Sequence, residues 1–275
     1  MANRILIGSG VTQNYWEKAQ SFKYFDTLNG IKQGRVQPFT ILLGEWSTEK
    51  MASIADQFKN IRFIQMFEEA VVAPNPNKCL QHGAFIPTLQ ESMGLDETDY
   101  VIFTDSDITV QRALRADEEE EFLSKGRVFV ATNWNDAESL LDEAAALQPT
   151  VPPALIGNAF PNHNRMQCFN TGVLGATVAD WKRLLKPYKM YYPFVAQTFG
   201  HYARQQWLLS WLIHSLKMDR FDTQSNFVRS IHAHGHEPQA AERLAAQGVS
   251  KDSSGLWVHG PTGQPVLFAH NLLSG

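Results

Sequence analysis

Tyr100-Val101-Ile102-Phe103-Thr104-Asp105-Ser106-Asp107-Ile108 runs from an apolar strand straight into two carboxylates one residue apart. Side chains alternate between the faces of a strand, and Tyr100 to Phe103 are apolar at every position, so both faces are covered. Such a strand belongs in the middle of an α/β sheet with helices on either side. Where it ends and turns, carboxylates at this spacing can converge on one divalent cation, which makes Asp105 and Asp107 candidate metal ligands. An acidic pair around a serine also suits an ordinary solvated turn. Position favours the metal, because open α/β sheets bind ligands at the carboxyl ends of their strands.

Upstream, strands are expected from Arg4 to Ile7, Phe39 to Leu43 and Ile61 to Met66. Between the first two, Thr12 can cap a helix with apolar positions Tyr15, Ala19, Phe22 and Phe25, closed by Gly30. Thr48 can cap a shorter helix through Met51, Ile54, Ala55 and Phe58. Strand and helix alternating in this way predict right-handed crossovers and a mostly parallel sheet. Gly8-Ser9-Gly10 reads as a sharp turn or a close approach of backbone to ligand. Tyr15 and Trp16 could stack on a base or pack in the core. A further helix from about Asn77 to Met93 is expected to kink or split at Pro87.

Downstream, the acidic run Glu118 to Glu121 sits early in a short helix and reads as a solvated face. A strand from Arg127 to Thr132 and a helix from about Ala137 to Leu147 follow. Pro149, Pro152 and Pro153 then open a long connection to Gln167, placed to act as a mobile lid. Gln167 to Gly175 is a buried strand interrupted by Asn170-Thr171-Gly172. Polar groups inside an apolar strand need partners, either a substrate's hydroxyls or the internal bonds of a bulge. A helix from Thr177 to Leu185 should end at Pro187. A longer one from about Phe194 to Leu216 carries the stripe Trp207, Leu208, Trp211, Leu212 and Leu216, with Gln205 and Gln206 on its approach. Leu256 to Val258 and Val266 to Phe268 look like a hairpin that delivers His270. His232, His234 and His236 form a separate imidazole cluster, whose plain reading is a solvated loop.

The 275 residues, 44% hydrophobic and 19% charged, suit one large α/β domain. A formal charge of -4 argues against a general nucleic-acid binder, which needs a basic surface. Cys79 and Cys168 are far apart, lack metal-ligand spacing and read as small buried apolar residues. With no secretory signal and no run long enough to span a bilayer, the expectation is a cytosolic protein, with peripheral association at a membrane left open.

The order of these features resembles the GT-A glycosyltransferases, closest to family 8, the glycogenin-like and bacterial lipopolysaccharide galactosyl- or glucosyltransferases. The residues that carry the resemblance are the strand with Asp105-Ser106-Asp107, Phe169-Asn170-Thr171-Gly172-Val173-Leu174 before a helix with Trp181, the Gln205-Gln206 helix start, and the late strand ending in His270. It implies a GT-A fold, a nucleotide-binding part over about 1–110 and an acceptor and sugar part over about 111–275. It implies that Asp105, Asp107 and His270 hold Mn²⁺ or Mg²⁺, with Asp105 also near the donor's ribose or sugar. One of His232, His234 and His236 is the alternative third ligand. Ile7, Gly8, Ser9, Gly10, Thr12 and Tyr15, with Ser106, would then contact the nucleotide of a UDP-sugar. Asn170, Thr171, Gly172 and Gln205 would line the sugar pocket, and Gln206 would lie beneath the anomeric carbon.

The implied activity is transfer of a hexose to an acceptor hydroxyl with retention, the catalytic residues being Gln206, Asp105 and Asn170. The chain departs from the pattern at Gln205, where the family usually has Asp, and in lacking an Arg before Phe85, for which Lys78 or His82 could substitute. It also lacks the Gly and Lys-Pro-Trp ending. These departures keep open a catalytically weak nucleotide-sugar- or carbohydrate-binding protein. A sugar-nucleotide pyrophosphorylase is a weaker alternative, since no basic residue follows Gly8-Ser9-Gly10.

Overall fold

The structure, a computed structural model, describes residues 3–21, 23–31, 34–66, 78–132, 140, 158, 160, 166–198, 204–222, 230–232, 248–260 and 263–270. At 18, 78–84, 131–132, 170, 196–198, 204–205, 221–222, 230–232 and 270 it describes the backbone alone. In chain order the first half contains β1 (Ile5–Thr12), α1 (Gln13–Ser21), α2 (Tyr24–Asn29), β2 (Val36–Leu43), α3 (Thr48–Gln57), β3 (Arg62–Met66), α4 (Lys78–Met93) and β4 (Tyr100–Thr104). After these come β5 (Ile108–Val110), α5 (Ala116–Glu120) with a π-turn over Glu121–Lys125, β6 (Val128–Thr132), β7 (Phe169–Thr177), α6 (Val178–Thr198), α7 (Arg204–Ser215) and β8 (Arg220–Asp222). Five short strands follow: β9 (Ser230–His232), β10 (Val249–Lys251), β11 (Trp257–His259), β12 (Gln264–Pro265) and β13 (Phe268–His270).

The main sheet has the order β3-β2-β1-β4-β7-β6-β8, which puts β4 at its centre as its composition demands. Its pairings are parallel except for β4–β7 and β6–β7. The crossover from β1 to β4 skips over β2 and β3, so the strand order reverses beside β1 and β4, the kind of position where open sheets bind ligands. Alternate residues of the central strands feed two cores. Leu6, Val101 and Phe103 pack on one face with Trp181 and Trp207, while Ile5, Ile7, Tyr100 and Ile102 pack on the other with Trp16 and Phe25. Trp181 also donates from Nε1 to Val101 O at 2.9 Å, tying α6 to the central strand.

Several boundaries differ from the sequence expectation, each for a tertiary reason. Gly8 and Gly10 do not turn the chain: β1 stays extended through Thr12, in register with β2 as far as Leu43. Their small size serves packing, since a Cβ at Gly8 would lie 2.0 Å from Phe39 O and one at Gly10 would lie 2.5 Å from the Phe85 ring. The first expected helix is two, separated at Lys23, whose φ of 57° is left-handed. Phe22 lies outside the described residues. Trp16, 6% exposed, takes the core position next to Tyr15, which is 42% exposed. Ser47, not Thr48, caps α3 by accepting from Lys50 N. Proline inside a helix costs about 3 kcal/mol, yet α4 continues through Pro87 and α6 through Pro187 and Pro193. Fully buried neighbours hold both helices, Phe85, Ile86 and Leu89 in one and Leu184, Tyr188 and Val195 in the other. The stretch 194–198, expected in the long helix, belongs to α6, and α7 spans Arg204–Ser215.

The acidic run is a further correction. Glu118 is fully buried and receives both Arg112 guanidinium nitrogens, at 2.6 and 2.5 Å. Glu121 is buried against Lys125 and Arg127. Three arginines, Arg112, Arg115 and Arg127, and a lysine outside the run make this burial possible, and helix-dipole reasoning alone does not foresee them. The expected helix over 137–147 and the connection to Gln167 fall almost wholly outside the described residues. The C-terminal hairpin pairs β11 with β12, while β13 leaves it to pair with β5 and β9.

Candidate active site

The site begins where β4 ends. Asp105 N–H donates to Gly172 O at 2.7 Å, extending the β4–β7 ladder one residue beyond the Thr104–Val173 pair. Ile108 N–H then bonds back to Asp105 O at 3.2 Å, closing a tight turn around the nearly buried Ser106. The carboxylates of Asp105 and Asp107 are half-buried there. β5 starts at the next residue and pairs antiparallel with β13, which sets Ile108 against His270. β13 pairs in parallel with β9, which sets His270 against His232. The backbone thus sets His270 beside the strand that begins one residue after Asp107, with His232 one strand further out. Their side chains lie outside the described atoms, and His234 and His236 lie outside the described residues.

Carboxylates gathered on one turn suit Mn²⁺ or Mg²⁺, and the His270 backbone lies opposite the residue that follows Asp107. Among the described residues no three His, Cys, Asp or Glu side chains gather at one point.

The polar interruption in β7 is a bulge. β6 pairs Val130 with Leu174 and the next residue, Ala131, with Asn170, so its register skips Thr171, Gly172 and Val173, while Val173 stays paired with Thr104 of β4. A bulge releases backbone groups from the ladder, and each must find another partner. Gly172 O takes the Asp105 N–H, and Thr171 N–H donates to Gln206 Oε1 at 3.3 Å. The N–H donor settles which end of the carboxamide faces the bulge. Gln206 Nε2 points to Cys168 Sγ at 3.9 Å. Asp105 and Gln206, 101 residues apart in the chain, are joined through the two consecutive residues Thr171 and Gly172. Thr171 is buried, while the side chains of Asn170 and Gln205 lie outside the described atoms.

Along β1 the candidates divide. Ile7, Gly8 and Ser9 are buried between neighbouring strands, whereas Gly10 and Thr12 are partly exposed and Tyr15 opens to solvent. The accessible end is the carboxyl end of β1, next to that of β4. Beneath it lies a group that the sequence did not single out. The Tyr24 phenol is fully buried, faces the hydroxyls of Thr104, Thr40 and Ser9, and feels the charge of Asp105. Burial raises its pKa far above the ordinary range, the nearby hydroxyls only partly offset this, and Asp105 adds to the rise, so the phenol stays neutral. Apolar periodicity hid Tyr24 as one more aromatic of α2.

The sequence matches no protein-family model and no curated protein. The structure, however, is similar to solved glycosyltransferases. A galactosyltransferase, LgtC, in complex with donor and acceptor sugar analogues is 16% identical, with 97% of this chain and 86% of that chain covered and a TM-score of 0.53. A glutamine-to-glutamate active-site mutant of LgtC is 15% identical over the same shares, with a TM-score of 0.54. Mouse xyloside xylosyltransferase 1, in its apo form, is 12% identical, with 98% and 97% covered and a TM-score of 0.51. At these identities the likeness establishes the fold, which is the GT-A fold of glycosyltransferases.

Proposed function

We propose that the chain is a metal-dependent glycosyltransferase that moves a hexose from a UDP-sugar to an acceptor hydroxyl with retention. The observation that carries this reading is the junction at the carboxyl end of β4, where Asp105 and Gln206 are fastened to adjacent residues of one bulge. Asp105 and Asp107, with His270 or His232, would hold Mn²⁺ or Mg²⁺. When bound, the ion supplies Lewis-acid stabilisation of the diphosphate leaving group.

The protein's own residues position and shield. Gly10, Thr12 and Tyr15 offer the exposed edge of β1 to the nucleotide, Tyr15 as a stacking ring. Asn170 to Gly172 line the sugar pocket, and Gln206 presents its carboxamide beneath the anomeric carbon. Its Oε1 keeps a second lone pair after accepting from Thr171, able to face positive charge as it develops on the sugar. No hydrolase-type carboxylate pair is readable in the sequence, so the acceptor proton is assigned to the departing phosphate, with the protein holding both substrates in line. The strand 5–12 runs unbroken past its glycines, which leaves no glycine-rich loop there for pyrophosphorylase chemistry. The chain is proposed to act as one unit, with 1–110 serving the nucleotide and 111–275 the sugar and acceptor. No helix among the described residues is long and apolar enough to cross a membrane.

The test is calorimetry with UDP, with and without Mn²⁺, alongside a UDP-release assay on UDP-glucose, UDP-galactose and UDP-N-acetylglucosamine. Metal-dependent binding and slow release of UDP from at least one donor are expected. Metal-dependent binding with no release across a broad acceptor panel favours a nucleotide-sugar-binding protein instead.

A further inference from the structure

Gln206 does not meet the bulge alone. Ser210, four residues on and fully buried, accepts from Phe169 N–H at 2.9 Å and donates to Gln206 O at 2.8 Å. Its Oγ also lies 3.9 Å from Cys168 Sγ. His214, four residues further, bonds through Nε2 to Gln167 O at 3.0 Å, and its ring stacks on Phe169 with centroids 5.0 Å apart and planes 18° from parallel. Residues 206, 210 and 214 therefore reach backbone groups of 171, 169 and 167 in turn. The match is metric: four residues of α-helix rise about 6 Å and two residues of strand about 6.6 Å, so successive rungs stay aligned. This spacing lets one face of α7 act as a polar seam along a strand that is itself losing sheet partners at the bulge.

We infer that Ser210 and His214 are positioning residues, which together with Gln206 form a three-rung stitch that fastens α7 to 167–171 and so fixes the Gln206 carboxamide against Thr171. The inference rests on the glycosyltransferase reading for its catalytic consequence, though the stitch itself does not. Loss of a rung frees the helix to shift against the strand, and small misplacements at a reacting centre are felt strongly. Ser210 is the informative rung because its hydroxyl both receives the strand and holds the carbonyl of Gln206. His214→Phe keeps the stacked ring on Phe169 while removing the Nε2 bond, so it separates hydrogen bonding from packing.

The experiment pairs two readouts on the full chain. Amide hydrogen exchange is followed at Phe169 and Thr171, and kcat and KM are measured for UDP release with the donor that the wild type turns over. In Ser210→Ala, exchange at Thr171 is expected to speed up about tenfold, with kcat falling about tenfold and KM for the donor within about twofold. Ser210→Thr, which restores a hydroxyl, is expected to recover most of the kcat, and His214→Phe is expected to show a smaller loss in the same direction. A Ser210→Ala protein whose melting temperature drops while Thr171 exchange and kcat stay at wild-type values overturns the inference. Thr171 exchange that rises with no change in kcat also overturns the positioning role. If the wild type releases UDP from none of the three donors, the glycosyltransferase reading fails, and the exchange data still decide whether the stitch exists.

Discussion

At the scale of single residues, the proposed site rests on two carboxylates singled out by their position and not by their composition. Asp105 is fixed by its own backbone N–H to Gly172 and is thereby locked to the bulge, whereas Asp107 stands one residue before the β5–β13 ladder. Asp107→Asn keeps the shape of the side chain and removes the charge. It is expected to lower Mn²⁺-dependent UDP release by at least about a hundredfold, since even partners of metal ligands cost ten- to a hundredfold when lost. The melting temperature should stay near wild type, because Asp107 lies on a turn and not in either core. Wild-type turnover in this variant would remove the carboxylate from the mechanism. Asp105 and Asp107 were legible in the sequence because strand patterning marks where a buried strand stops. Tyr24, Ser210 and His214 were not, because a hydroxyl, a phenol or an imidazole inside an apolar stripe shows its partner only once the strand it touches is in place.

At the scale of elements, packing at two points decides what the sequence left ambiguous. Gly8 sits where β1 passes Phe39 of β2, and a methyl group there would meet the carbonyl oxygen at 2.0 Å. Gly8→Ala is expected to destabilise the chain by about 3 kcal/mol, the upper range for overpacking a buried site, because a backbone atom cannot move aside as a side chain can. Equilibrium urea unfolding measures this directly, and a change below about 1 kcal/mol would mean that β1 and β2 can separate locally. The second point is Glu118, fully buried between Arg112 and Arg115, with Arg112 also bonded to Pro265 O. This pair ties α5 to β12. Glu118→Ala strands a mostly buried guanidinium, and a loss of about 3 to 5 kcal/mol is expected from breaking a buried pair by one partner. An unfolding midpoint that does not move would place the pair among those of no consequence.

At the scale of the whole molecule, the stitch between α7 and the bulge gives folding stability a pH dependence. Burial lowers the pKa of His214 below its ordinary value of 6.5, the bond to Gln167 opposes this in part, and Arg220 adds to the lowering. Between that lowered value and 6.5 the unfolded chain binds more protons than the folded one, so stability rises with pH across the window. His214's contribution is thus fully present above 6.5 and is lost as pH falls through the folded value. Unfolding midpoints for wild type and His214→Phe at about pH 7.5 and about pH 5.5 test this, with the variant expected to lose less on acidification. Equal losses in the two proteins would assign the acid sensitivity to other groups.

Local pattern by itself determined the central strand at 100–104, the parallel half of the sheet, the Asp105–Asp107 turn and the polar interruption at 170–172. Those features follow from side-chain alternation and from what a buried strand can tolerate, which are properties of neighbours along the chain. Tertiary structure alone decided that the interruption is a bulge, that Gly8 and Gly10 continue a strand, that Glu118 is buried, and that α4 and α6 run through their prolines. It also decided that His270 and His232 share one small sheet with Ile108, and that Gln206 joins Asp105 through Thr171 and Gly172. The reason is common to all of these: each depends on a partner far away in sequence, and a backbone group released in one element is satisfied only when another element arrives beside it.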